Sequence, residues 1–399
     1  MSGRTCDIAI VGGGLSGGLV ALALAQQRPD VSLRLIEAGD APGGNHRWSW
    51  FDSDLSDAGK ALIHPIRKTA WEDGNHVAFP AYRRQLATPY NSMASHDFAA
   101  ALARELPDGA IMLRSPAAQV RADGVTLESG EEVTTRTVID ARGAISTPHL
   151  SGGWQVFMGR HLRCESPHGI ARPIIMDARV EQLGGYRFVY ILPLSAHELF
   201  VEDTYYQDTP ELDRSALSGR IDAYCREHGC DGEILGFETG VLPVITGGDA
   251  SRYLASVRTE GVALVGARGL FTHPLTSYTF PFAVETALAI AEDADLPGDQ
   301  LAAKMEARAR RHWAATGFYR LLGNMLFGAA KPDKRVGVFQ RFYRMPEPLI
   351  ERFYAGRSTL ADKARVLIGK PPVPIASALG ALASSRPALE KSPHESDDK

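Results

Sequence analysis

The chain is poor in cysteine, contains no long apolar run and is close to electrically neutral. Only Cys6, Cys164, Cys225 and Cys230 are present among its 399 residues, and their spacing matches no paired metal-ligand pattern. Disulfides and structural zinc are therefore not expected, no other metal site is indicated, and a reducing compartment such as the cytoplasm fits. No stretch reaches the ~18–20 apolar residues of a membrane-crossing helix, so any membrane contact is expected to be at the surface. Asp7 interrupts the first apolar run, so no secretory signal is expected. A net charge of -4 and a pI near 6.3 give no general reason to expect a nucleic-acid partner.

What the chain does contain is concentrated at its start. Asp7-Ile8-Ala9-Ile10-Val11 is a short β-branched strand that runs directly into Gly12-Gly13-Gly14-Leu15-Ser16-Gly17-Gly18, followed by a helix rich in alanine and leucine, Leu19 to Gln27. A second strand, Val31 to Ile36, closes on Glu37. Gly12 permits a tight turn, Gly14 lets the backbone approach a pyrophosphate, and Gly17 lets helix and strand pack closely. The pyrophosphate would sit at the helix N-terminus. Glu37 is placed to bind ribose hydroxyls and would repel a 2′-phosphate, which favours FAD or NAD over NADP. The glycine turn Gly43-Gly44 just beyond, and the position of the motif at the head of the chain, favour FAD.

The remainder divides by texture. Residues 45–80 read as loops with short helices, and a helix is expected from His96 to about Leu106. Short strands at 118–121, 124–128 and 137–139 end at Asp140-Ala141-Arg142-Gly143, where the first domain returns to its sheet. Phe188 to Pro193 and Leu199 to Thr204 read as antiparallel strands of a substrate-binding sheet. Val262 to Val265 leads into a second glycine turn, Gly266 to Gly269, and then a helix from about Phe282 to Asp293; its backbone N–H groups would serve flavin or phosphate. The expected fold is α/β, α+β overall: a discontinuous Rossmann-type FAD-binding domain (1–155 and 258–296), an inserted antiparallel sheet (156–257), a helical region (297–375) and a disordered tail (376–399).

Between Lys304 and Lys370 fifteen Lys or Arg face five Asp or Glu. With the interleaved aromatics Trp313, Phe318, Tyr319, Phe327, Phe339, Phe342, Tyr343, Phe353 and Tyr354, this asymmetry suggests contact with an anionic membrane surface. Solvated helix faces are the plain alternative.

The motifs Gly12 to Leu19, Asn45-His46-Arg47-Trp48-Ser49-Trp50, Phe200-Val201-Glu202-Asp203-Thr204-Tyr205-Tyr206 and Gly266 to Tyr278 occur in the order found in bacterial lycopene β-cyclases, and the chain resembles that family from about residue 6 to 350. It departs at Arg47 and Arg268, large cations where small residues are expected. The resemblance implies a carotenoid-pathway flavoprotein that cyclises the ψ-ends of lycopene to β-rings, through γ-carotene to β-carotene. It implies reduced FAD, NADPH as external reductant, and peripheral association with the inner membrane. Because cyclisation leaves the formula unchanged, the site must supply an acid, stabilise a carbocation and then supply a base.

Glu202 is the residue that the resemblance assigns to acid or base work. Strand periodicity puts Phe200, Glu202 and Thr204 on one face and Val201 and Asp203 on the other, and a carboxyl on an aromatic face would have a raised pKa. Tyr205, Tyr206 and Trp48 are candidates for cation–π contact; His273, in a turn before Pro274, reads as structural. The competing readings are an FAD monooxygenase, a carotenoid dehydrogenase, or a non-catalytic carotenoid- or flavin-binding protein. The reactions among them differ in the mass of the product.

Overall fold

The computed structural model describes residues 4–143, 146–368, 380 and 386–390. Its first sheet has seven strands, built around Arg4–Val11. Leu33–Ile36 lies parallel on one side and Glu132–Asp140 parallel on the other. Ile111–Met112 extends the sheet beyond Leu33–Ile36, and Val262–Leu264 runs parallel beside Glu132–Asp140. Ile8, Ala9 and Ile10 are completely buried, as expected of a central strand with both faces covered. The helix Leu15–Gln27 packs with Ser95–Glu105 and Phe280–Glu292 in one continuous core over this sheet.

The second sheet has eight strands. Gly232–Gly248 forms one edge, followed by Thr147–Cys164, Glu198–Gln207, Tyr186–Pro193, Ile174–Asp177, Asn75–Phe79 and Tyr82–Leu86. It is therefore not confined to residues 156–257: its inserted part begins at Thr147, and it recruits Asn75–Phe79 from the segment expected to be loops and short helices and Tyr82–Leu86 just beyond it. Further strands, Arg47–Phe51 and Thr69–Trp71, pair with Tyr90–Ala94 in a small third sheet. The strands within residues 45–80 do not pair with each other: Arg47–Phe51 and Thr69–Trp71 both join Tyr90–Ala94, and Asn75–Phe79 joins Tyr82–Leu86 on one side and Ile174–Asp177 on the other.

Helices follow from Gly298–Ala315 to Leu360–Leu367. The aromatics credited above to a membrane face are partly core: Tyr319, Phe327, Tyr343 and Phe353 are buried against the second sheet. Several basic groups of this region also meet acids from outside it, as in Lys304 with Asp293, Arg308 and Arg357 with Glu285, and the buried Arg335 with Asp208. Amphipathic helices that dock on a sheet turn their rings inward, and the local charge excess is offset across the fold. Within the expected disordered tail, Ala388–Leu389 pairs with Thr147–Cys164 and Leu389 is buried; most of 369–399 lies outside the described residues. All four cysteines are free and buried. Among the described residues no helix is long and apolar enough to cross a membrane.

Candidate active site between the two sheets

A cavity of about 940 Å³ lies between the parallel sheet and the second sheet, at the large end of the range for small-molecule sites. At one end it is lined by Gly12, Gly14, Glu37, Gly43 and Gly266, and at the other by Tyr190, Glu202, Tyr206, Glu238, Tyr343 and Tyr354.

The glycine end is formed by the strand-to-helix turn. Gly12 has φ +103°, and a β-carbon there would fall 2.8 Å from the Ala141 carbonyl oxygen. Gly14 caps the helix Leu15–Gln27 without a side-chain bond, and a β-carbon there would meet nothing within 4 Å. Backbone and first-turn N–H groups are thus open to an anion. The Glu37 carboxylate accepts the Gly13 N–H at 2.6 Å and the Gly39 N–H at 2.7 Å, which holds it at the strand end. Gly17, Gly44 and Gly269 do not line the cavity. A β-carbon on Gly17 would fall 2.0 Å from the Gly12 carbonyl oxygen, and one on Gly269 2.8 Å from that of Leu264, so both serve close packing. Gly44, with φ +60°, shapes the turn after Gly43. Arg268 is also absent from the lining; its guanidinium lies 3.5 Å from Asp140, so this departure does not obstruct the cavity.

The other end is aromatic and carries two carboxyl groups. Glu202 accepts the Thr204 hydroxyl at 2.6 Å, and burial raises its pKa, with Asp203 adding to the effect. Glu238, on the edge strand, is buried and lines the same cavity, and its pKa is raised by burial and then by the Glu202 charge. The Tyr190 hydroxyl donates to Ser49 at 2.8 Å and lies 3.0 Å from the Tyr90 hydroxyl. Phe51, Phe157, Phe188, Tyr206 and Tyr354 add ring faces, while Trp48 lines the cavity nearer the glycine end, beside Gly43 and Phe98. Such a site can hold a carboxylic acid protonated near neutrality beside surfaces suited to a cation.

The opposite face of the Glu202 strand is structural. Asp203 is fully buried and accepts from Arg187 at 2.8 Å and from the Tyr205 hydroxyl at 2.9 Å. Tyr205 thus points away from the cavity, whereas Tyr206 and Trp48 line it. His273 is buried, with Nε2 3.0 Å from the Phe353 carbonyl oxygen and Nδ1 accepting from Thr276 N–H at 3.3 Å. Burial pushes its pKa down to about 3. It braces the turn.

Sequence reasoning missed Glu238 and Tyr190, which line the cavity, and Asp54, which lies behind it and holds the lining residue Tyr278. Asp54 is buried, accepts the Tyr278 hydroxyl at 2.5 Å and has its pKa pushed up by burial to about 6. An aromatic-acid pair, Phe237-Glu238, was the available signal, but its partner strand was invisible.

A largely parallel sheet with a glycine turn at its first helix, opening onto a large and mostly antiparallel sheet, defines the Rossmann-type fold class to which solved flavin-dependent proteins belong. A flavin-dependent brominase shares the fold with a TM-score of 0.60 at 14% identity, covering 88% of this chain and 94% of that one. A salicylate hydroxylase gives 0.58 at 16%, covering 92% and 99%. A geranylgeranyl bacteriochlorophyll reductase-like protein from Thermoplasma acidophilum gives 0.59 at 14%, covering 96% of each chain.

Within that class, the chain belongs to the lycopene cyclase family, whose model, described as Lycopene cyclase protein, matches residues 7–380. It is 44% identical over 373 residues to a lycopene beta-cyclase of Pseudescherichia vulneris, covering 93% of this chain and 96% of the relative. A lycopene beta-cyclase of a Paracoccus species is 40% identical over 388 residues, covering 97% and 99%.

Proposed function

We propose that this protein is a lycopene β-cyclase that converts each ψ-end in turn to a β-ring by acid–base chemistry. The observation that carries the reading is Glu202: a half-buried carboxyl group on the aromatic wall of a cavity whose other end is a dinucleotide-type glycine turn.

Glu202 gives its proton to the terminal double bond, a C–H bond forms, and a tertiary carbocation results. Attack by the neighbouring double bond closes the ring and moves the charge into it. Loss of a ring proton to the vacated carboxylate restores the acid, so no atom or electron is gained or lost. Burial keeps Glu202 protonated near neutrality. Tyr206 offers a ring face to the cation, and the apolar wall excludes water that would trap it.

Gly12, Gly14, Glu37, Gly43 and Gly266 would hold FAD through backbone N–H groups, close approach and ribose contacts. When bound and reduced, it supplies negative charge that offsets the carbocation. NADPH is the proposed reductant. Because the substrate is a hydrocarbon, we place the protein at the inner face of the cytoplasmic membrane as a peripheral protein. Ile234 and Phe237, both 52% exposed on the edge strand that carries Glu238, support an apolar approach near the cavity.

Expression in lycopene-accumulating cells beside Glu202→Gln tests this. An isobaric product absorbing at shorter wavelength, lost in the variant, supports cyclisation. A product one oxygen heavier or two hydrogens lighter would replace the reading with a monooxygenase or dehydrogenase.

A further inference from the structure

Glu202 and Glu238 lie on different strands of the second sheet, and both pair in register with the same residue of the strand between them, Gly159. Tyr190 pairs with Glu202 from the next strand. Tyr190, Glu202, Gly159 and Glu238 therefore form one transverse row, and residues paired directly across a sheet share a face. The strands carrying the two acids stand about 9–10 Å apart, yet both side chains line the same cavity and each acts on the other's ionisation. They can do so because the position between them has no side chain. The Phe200 ring covers it, so close that a β-carbon on Gly159 would fall 2.2 Å from Cζ.

Two ionised carboxylates have only acceptors. A hydrogen bond between them requires a proton, and burial penalises a double negative charge. The charged and titratable surroundings are unequal. The Arg47 backbone N–H and guanidinium, from the small third sheet, face Glu238. Thr204 donates to Glu202, and Asp203 acts on it from the opposite face of the same strand. Tyr190 lies beside Glu202 with its hydroxyl turned to Ser49. His161, two residues along from Gly159, is held by Glu198 at 3.1 Å, and Asp97 acts on Arg47 rather than on the pair.

We infer that Glu238 is a positioning residue that shares a single proton with Glu202, so that the two carboxyl groups work as one acid–base unit. The inference rests on the cyclase reading. Transfer of the shared proton from Glu202 to the alkene leaves both carboxylates ionised beside a carbocation, with Arg47 opposite Glu238. Their mutual repulsion makes the pair a stronger base than a lone carboxylate, and the proton lost from the ring returns to it. One proton leaves and one comes back, and no oxidant or reductant is consumed.

Cyclisation by the FAD-loaded enzyme, assayed with lycopene across pH, tests this. The one-proton state gives a bell-shaped profile, falling on the alkaline side when the pair loses its last proton and on the acid side when it gains a second. Glu238→Gln removes the repulsion, so the alkaline limb moves down by about one unit or more and the acid limb disappears, because the partner is now neutral at every pH; the activity that remains below the new limb is the lowered level of the doubly protonated wild type. Glu238→Asp keeps both limbs with a lower kcat. An unchanged bell in Glu238→Gln, or a uniform loss at every pH, would overturn the shared proton; if that variant does not fold, a single-limbed Glu238→Asp does so.

A readout independent of turnover separates this inference from the function it rests on. The infrared band of a protonated carboxyl group should persist above neutral pH in the wild type and weaken in both Glu202→Gln and Glu238→Gln. Its absence in the wild type overturns the pair whatever the activity. Its presence without cyclised product leaves the pair standing and removes the cyclase reading.

Discussion

Phe200 lies across Gly159, the residue of the middle strand that pairs with Glu202 on one side and Glu238 on the other. Phe200 is buried, with the Arg47 guanidinium 5.5 Å from its ring centre. Gly159→Ala would push the ring toward Arg47 and into the site. The expected cost is about 1–3 kcal/mol in stability, as for overpacking elsewhere, with at least a tenfold loss of cyclisation. Urea unfolding beside the turnover assay checks both, and wild-type activity in the variant would show that the row tolerates a side chain.

Neighbouring residues of the Glu202 strand should respond in opposite ways. Asp203→Asn leaves the buried Arg187 without its carboxylate partner, and removing one member of a buried pair costs about 3–5 kcal/mol. Glu202→Gln removes a poorly solvated acid and should abolish turnover with little loss of stability. Equal destabilisation of the two variants would contradict the assignment of the strand's faces.

Asp54 makes stability depend on pH. Its pKa is raised by burial from 3.8 to about 6, so between these values the folded protein binds more protons than the unfolded chain. Its contribution is complete below pH 4 and is lost as pH rises through about 6, amounting to roughly 3 kcal/mol. Asp54→Asn keeps an acceptor for Tyr278 and should flatten the stability curve across that window. Denaturant midpoints measured at pH 4, 5 and 6 would show an unaltered slope if Asp54 were not the source.

Glu37 accepts from the N–H groups of both Gly13 and Gly39, and so organises the glycine end as well as facing the cavity. Glu37→Ala should lower the flavin content of the purified protein, with FAD affinity weakened about tenfold or more, while apo-protein stability changes far less. Stoichiometric flavin in the variant would remove Glu37 from the binding site.

The sequence alone determined the elements whose partners lie nearby. The first strand, the glycine turn, its helix and Glu37 form one local unit, and steric demands at Gly12 and Gly17 make it readable residue by residue. Alternation in the Glu202 strand also separated the working face from the structural one, although Tyr205 was set among the cation–π candidates against that same alternation. Only the tertiary structure decided what required distant pairing. Strands from residues 47–86 joined two sheets, Ala388–Leu389 returned to pair with the strand Thr147–Cys164, and Glu238 came beside Glu202 across Gly159. The rings of Tyr319, Phe327, Tyr343 and Phe353 gave a membrane-like pattern in sequence and became core in the fold. Periodicity reports which residues share a face; what that face meets is set by sheet register, which no local pattern encodes.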